Sequence, residues 1–560
     1  MMRKKLFVVF LFLFKLSFCQ NWDWARRAGN SMSWDIAECI ATDQSGNILL
    51  AGRFQDSIIT FGSFTLTGHG NGDVFLVKYD PNGNVLWARS TGGKKWDVAR
   101  AITVDDSGNI YLGGFMYSDS ITFGSTVLVN NTLNHHLFLV KYDNNGNELW
   151  AKTSPSVGYN IISGLACNSQ GELFVTGYFL SNSMIDSFSL QNNGLTDVFV
   201  FKCDSYGNVL WTKCFGGSHY DYSTEVCIDV FGNIIVAGYY ESTALILGVD
   251  TLNNPRPDTY TWKKNLFITK LTTSGNIIWG RGARSQNVDY EDEIALDVTT
   301  DMVGNVYIAG GFSGRKIIFD DLDTLASSGW GNILLAKYSP SGSYVWAKCS
   351  SGNSTGHASS VIVDHGNVYI TGNFAGNNTC FDTLCINSNG GYNCFLITYS
   401  SNGKVLWGTS VGSNGNDYVS SHIAKDSTGN IYLIGGFQGP DLTIGSNYLI
   451  NSDTSSNTFD LFIAKLSNSQ IVTEINSNGD REFTSVIYPN PCKDILNIDF
   501  SMVEKNINLK LINSIGQTII NREVYAAKGL TLNISGITKG IYFLSISIEE
   551  KKYQKKIIIQ

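Results

Sequence analysis

The stretch that most constrains this chain is DVFLVKYDPNGNVLWARS at residues 73–90, because the chain repeats it. The copies are HLFLVKYDNNGNELWAK, DVFVFKCDSYGNVLWTK, NLFITKLTTSGNIIWGR, NILLAKYSPSGSYVWAK and NCFLITYSSNGKVLWGT. Within 73–90, large residues alternate (Phe75, Val77, Tyr79 against Val74, Leu76) until a turn at Asp80–Asn84, and a second run ends in Trp87. Period-two alternation bounded by Asp, Pro, Asn and Gly predicts a β-hairpin. The closing tryptophans are Trp87, Trp150, Trp211, Trp279, Trp346 and Trp407, and an isolated one stands at Trp24. Their spacings are 63, 63, 61, 68, 67 and 61 residues. Self-similarity at a fixed period marks a repeat architecture.

Each unit adds an upstream hairpin, ARAITVDDSGNIYLGGF at 99–115, which recurs around Gly46, Gly171, Gly232, Gly304, Gly366 and Gly429. Its turn reads D-x-x-G-N in most copies, with Asp43, Asp105, Asp229, Asp301 and Asp426. An Asp that bonds its own turn and a Gly at φ > 0 close such a hairpin. The calcium-loop spacing and its distal Glu are missing, so a plain turn is expected. A unit therefore has four principal strands, and most copies carry a variable segment of the type SITFGSFTL, an expected extra hairpin, between the second and third. Four antiparallel strands repeated radially make propeller blades. The seventh copy of the third strand, DLFIAKL at 460–466, has no fourth strand after it. The WDWARRAG segment around Trp24 supplies one from the other end of the chain. The expectation is an all-β protein, a seven-bladed β-propeller over residues 20–467.

Composition agrees: 57 glycines, 8 prolines, 12% aromatic and only 16% charged residues. The formal charge is −8, but residues 1–19 and 483–560 each carry +4, leaving −16 on the body. Nucleic-acid phosphates need Lys and Arg, so that partner is not expected. Residues 1–19 have a basic start, an apolar run and small residues at Ser17 and Cys19, the pattern of a secretory signal peptide. No later stretch reaches the ~18 unbroken apolar residues of a spanning helix. Most cysteines lie in strand patterns; Cys380 and Cys385, flanking FDTL, are the disulfide candidates. Zinc-ligand spacing is absent, and neither metal nor cofactor is expected.

The D-x-x-GN-[IV]-[YIL] hairpin, the [FL]-[LIV]-x-[KT]-Y strand and the NG-N-V-L-W-A strand resemble a family of bacterial seven-bladed β-propeller repeats. The resemblance covers roughly residues 21–467; blade 3 departs from it, with GELFV for GNIYL and Asn168 for the turn Asp. It implies architecture and supplies no catalytic residues. After a polar linker at 468–482, residues 483–560 read as a small Ig-like β-sandwich of short β-runs. They resemble the type A C-terminal sorting domain of type IX secretion substrates. The matching residues are Tyr488, Pro489, Asn490, Pro491, Leu496, Ile498, Asn513 to Gly516, Gly540, Ile541, Tyr542, Phe543 and Leu544, and the basic end Lys555, Lys556. The resemblance implies Sec export, passage of the outer membrane by the type IX machinery, and release or attachment at the cell surface.

No H-E-x-x-H, G-x-S-x-G or P-loop motif occurs. His135-His136 lies in the segment between second and third strands and reads as a solvated pair. One constellation recurs before the first strand of a unit: Trp34-Asp35, Trp96-Asp97, Tyr159-Asn160 and Tyr220-Asp221, with Asp292-Glu293 and Asp417-Tyr418 as variants. In a propeller these positions ring one mouth of the central channel. Aromatic faces beside carboxylates suit sugars or cations; the structural reading has the aromatic wedge between blades and the Asp cap the loop. Arg281, Arg284 and Trp262 stand out as peculiar to one unit. The expected function is an exported, monomeric binding or adhesion module for a glycan or protein, with Trp34, Asp35, Trp96, Asp97, Tyr220 and Asp221 as its site. The alternative is a polysaccharide hydrolase or lyase using Asp35, Asp97 and Asp221.

Overall fold

The structure is a computed structural model. It describes residues 22–29, 34–55, 57–154, 158–254, 263–285, 292–313, 316–319, 323–326, 331–417, 421–453, 458–467, 485–488, 493–513, 517–548 and 551–559. Residues 1–19, where a signal peptide is expected, the stretch 468–482, Trp262, Pro489, Asn490, Pro491 and Gly516 lie outside the described residues. The chain divides into two compact units between Gln470 and Ile471.

The first unit is a β-propeller, and its described residues form seven antiparallel sheets of four principal strands each. The first sheet shows the plan: Ile36–Thr42, Ile48–Phe54, Asp73–Tyr79 and Val85–Thr91, from innermost to outermost. The second and third strands are buried on both faces because a neighbouring sheet covers each side. That burial explains their unbroken apolar text. In the seventh sheet the outermost strand is Trp22–Ala28, paired with Asp460–Leu466 (Ala25 opposite Ala464, Ala28 opposite Leu461). The inner strands pack in succession, and Thr42 Oγ1 donates to Lys425 O at 2.5 Å to join the first sheet to the seventh. All seven units carry the extra hairpin, such as Ser120–Phe123 with Thr126–Val129, set beside the outer strands. The sixth contains the Cys380–Cys385 disulfide.

One end of every sheet holds its two tight turns. Asp43 is typical: Oδ1 accepts the N–H of Ser45 and Asn47, and Oδ2 accepts Asn47 Nδ2. The same Oδ2 meets Lys78 Nζ, 2.8 Å away on the third strand. In the third unit the charge moves. Asn168 takes the turn position, Glu172 takes the Asn position, and Lys202 follows it at 2.7 Å.

The repeated tryptophan explains how sheets are joined at this end. Trp87 Nε1 donates to Asn144 O in the next unit's outer turn, and Trp24, Trp150, Trp211, Trp279 and Trp346 do the same to Pro81, Ser205, Thr273, Pro340 and Ser401. Gly146 in that turn has φ +75°, and a Cβ there would lie 3.0 Å from the Trp87 ring. Glycine is required twice, by conformation and by close approach. Arg281 proves part of this joint rather than a peculiarity: it stacks on Trp279 and donates to Gly342 O, as Arg89 does on Trp87 and to Gly146 O.

The second unit is built on two bent strands, Ile495–Asn513 and Thr518–Asn533. Their pairing breaks between Asp499 and Glu504, so their two halves serve different layers. The first half of Ile495–Asn513 pairs with Ser485–Tyr488, and the second with Gly540–Ile548, whose other edge takes Lys551–Ile559. Leu496, Ile498 and Leu532 face Leu509, Leu544 and Ile557 in one core. Tyr542 is buried in it, its hydroxyl donating to Thr538 O, while Lys555 is exposed.

Candidate functional site at the loop end of the propeller

The opposite end of the sheets carries the links from each outermost strand to the next innermost one, together with the segments between second and third strands. The sequence constellation falls here. Its carboxylates turn inward: Asp35, Asp97 and Asp221 are fully buried. Asp97 accepts the N–H groups of Gly93, Tyr117 and Ser118, tying the link into its sheet to the segment leaving the second strand. Asp221 does the same with Gly217, Glu241 and Ser242, and also accepts Ser242 Oγ at 2.7 Å. In the seventh unit Asp417 holds Ser413 and Gln438 in this way. Burial pushes Asp97, Asp221 and Asp417 above the usual carboxylate range, against the pull of those hydrogen bonds.

A second buried acid, not singled out from sequence, opens the third strand. Asp73 accepts His69 and Gly70 N–H, and Asp197 accepts Asn193 N–H. Burial drives Asp197 up to about 6. The signal was present as a polar residue heading an apolar strand in every unit: Asp73, His136, Asp197, Asn265, Asn332, Asn393 and Asp460.

The aromatic partners face the other way. Trp34 is 49% exposed and meets Phe459 edge-on at 5.1 Å. Trp96, Tyr159 and Tyr220 are half-buried. Beside them stand rings that the repeat reading passed over, because they end the second strand and look like core text. At that position the seven units have Arg53, Phe115, Tyr178, Tyr239, Gly311, Asn373 and Gly436. Tyr178 packs on Tyr222 at 4.7 Å, and Tyr222 on Tyr239 at 5.2 Å and Tyr220 at 6.1 Å. At the end of the second strand the rings thus fall in units 2–4, continued as an arc by Trp34, Trp96, Tyr159 and Tyr220 ahead of the first strands of units 1–4, while units 5–7 have Gly311, Asn373 and Gly436 at that position.

His135 belongs to this arc, which corrects its reading as solvated. Phe115, Tyr117 and Tyr159 surround it at 4.7, 4.7 and 4.5 Å, and burial pushes its pKa down. Its neighbour His136 is buried too, with Nε2 2.9 Å from Thr132 Oγ1. Cations sit over the same rings: Lys95 over Tyr117, Lys264 over Tyr239, Arg53 over Trp96 and Arg100 over Phe115. Among the described residues no group of three or more His, Cys, Asp or Glu could hold a metal ion.

Comparison with known proteins bears on both units. Residues 486–560 match the secretion system C-terminal sorting domain family. The chain is therefore a substrate of type IX secretion, delivered to the cell surface or the medium. It is 22% identical over 536 residues to an uncharacterized WD repeat-containing protein of Acanthamoeba polyphaga mimivirus, covering 79% of this chain and 38% of that one. It is 25% identical over 184 residues to the regulatory protein FlaEY of Caulobacter vibrioides, covering 32% and 19%. The chain thus spans well under half the length of these curated relatives. Among solved structures, a chain of the mitotic checkpoint complex superposes with a TM-score of 0.41 at 8% identity, over 84% of this chain and all of that one.

Proposed function

We propose that this exported propeller is a non-enzymatic binding module whose loop end takes a glycan. The observation that carries the reading is the break in symmetry. A purely structural ring would repeat its aromatic residues in every unit, yet at the end of the second strand Phe115, Tyr178 and Tyr239 of units 2–4 give way to Gly311, Asn373 and Gly436 in units 5–7. Half-buried Trp and Tyr rings held by packing offer flat apolar faces at little entropic cost, which suits stacking against sugar rings. Trp34, Trp96 and Tyr220 make the contact in this reading; Asp35, Asp97 and Asp221 hold the loops that present them. The hydrolase alternative needs two accessible carboxylates at catalytic separation, and these three acids are buried.

A glycan array probed with the mature chain, followed by titration of its hits, tests the proposal. Trp34→Ala combined with Trp96→Ala is expected to abolish binding while most of the folded population remains. Binding reduced only in proportion to lost folded protein would defeat it.

A further inference from the structure

Two guanidinium groups lie at the foot of the aromatic arc and share one carboxylate. Arg53 Nε is 3.6 Å from Glu38 Oε1, and Arg100 Nη1 is 3.9 Å from Glu38 Oε2. Both separations exceed a hydrogen bond, and Arg53 Nε is buried without an acceptor. Glu38 is itself buried, whereas the Arg100 side chain is 44% exposed and reaches over Phe115.

The position of Glu38 and Arg100 sharpens the asymmetry. Each first strand of units 1–6 has a bulge in its register, between Ala37 and Cys39, Ala99 and Ala101, and so on round the ring. The bulged residues are Glu38, Arg100, Ser163, Thr224, Leu296 and Ser359. Those with hydroxyls are engaged inside the protein: Thr224 donates to Ala295 O in the next sheet and Ser359 to Ser421 O. Glu38 and Arg100 are the charged members, and they adjoin the arc.

Among the described residues the other titratable groups at this level are neutral or turned to backbone donors. Burial pushes His422 down to about 4, so it is neutral. Burial raises Glu225 and Asp297, and their oxygens accept the N–H groups of Val226, Val298 and Val361. Among the described residues one positive charge thus remains without a partner in a partly desolvated mouth, on guanidiniums already oriented by ring faces.

We infer that the ligand of this mouth is an acidic glycan, whose carboxylate docks between Arg53 and Arg100 while its sugar rings lie on Trp96, Tyr159 and Tyr220. The inference rests on the carbohydrate reading above and names the class of sugar. A charge-assisted pair with a guanidinium is among the stronger polar contacts available, and the −16 charge of the body is screened beyond about 8 Å at physiological ionic strength.

The test uses the mature chain with oligogalacturonate and its fully methyl-esterified form, which differ in charge and little in shape. The acid is expected to bind about tenfold or more tightly than the ester, with affinity falling as salt rises. Arg100→Gln should erase that preference and Arg100→Lys should keep part of it, both with wild-type melting. The wild-type comparison stands even if a variant fails to fold. Equal affinity for acid and ester, or binding to neutral glycans alone, overturns this inference and leaves the carbohydrate reading intact. Failure of every glycan, acidic or neutral, removes both.

Discussion

The two ends of the propeller are made from the same repeat and behave differently. At the turn end, Asp43 lies inside a net of donors. Burial raises Asp43, but the hydrogen bonds from Lys78 and Asn47 outweigh it, and the carboxyl ends below its usual range. Asp229, with Lys270 and Asn233, follows the same course. At the loop end Asp97, Asp197 and Asp221 meet backbone N–H groups and hydroxyls but no lysine, and burial prevails. The aromatic residues divide likewise. Trp24, Trp87 and Trp279 are buried and donate to the next sheet's turn; Trp34 lies half in solvent. A repeat that must close a ring needs one end to be uniform. The other is free to diverge.

The harshest way to break this contrast is to remove one joint of the turn end. Deleting residues 22–28 strips Trp24 and Ala28 from a core they share with Ile48, Phe61 and Tyr432, and leaves Asp460–Leu466 as an open edge. The expected loss is about 5 kcal/mol or more, read from denaturant unfolding. Unchanged melting would show that the seventh sheet does not depend on its strand from the other end of the chain.

A gentler comparison places one substitution at each end. Trp87→Ala should cost about 3–5 kcal/mol, because it empties a buried site and removes one of the donors to the Asn144 carbonyl. Trp34→Ala should cost about 1 kcal/mol or less, the worth of one edge contact with Phe459. Equal costs in thermal melts would erase the distinction.

The smallest effect is in pH dependence, and its sign differs between the ends. Asp43 has a lowered folded pKa, so its contribution is present above the unfolded value near 3.9 and is lost as pH falls through the folded one. Asp197 has a folded pKa of about 6, so the folded state binds more protons between roughly pH 4 and 6, and stability declines as pH rises through that window. Relative to Asp197→Asn, the wild type should lose ground from pH 4 to 6. Relative to Asp43→Asn, it should lose ground only as pH drops below about 4. Unfolding free energies from pH 3 to 7 check both; parallel curves for the two variants would contradict the contrast.

Much of the fold was legible because hairpins are local. The D-x-x-G-N turns, the alternating strands, the Cys380–Cys385 pairing and the partner of the orphan Trp24 strand all follow from residues close in sequence or from the register of the repeat. The candidate site was legible only in part. Trp34, Trp96 and Tyr220 stood out through recurrence, but Tyr178 and Tyr239 were hidden in strand text whose alternation reads as core. His135 looked solvated because the rings that enclose it, Phe115 and Tyr159, lie 20 and 24 residues away on either side.

By itself the sequence determined the repeat, the four-strand unit, the closing role of Trp22–Ala28 and the export domain, since each is written in periodicity or a contiguous motif. Only the tertiary structure decided which way each polar group faces. Glu38 and Arg100 lie 62 positions apart in adjacent units and became neighbours through a bulge in each inner strand. Asp97 became a buried loop anchor because two segments converge on it. A carboxylate or a guanidinium carries the same letter in either role, and its charge state and reach depend on the donors and the solvent around it, which chain closure alone supplies.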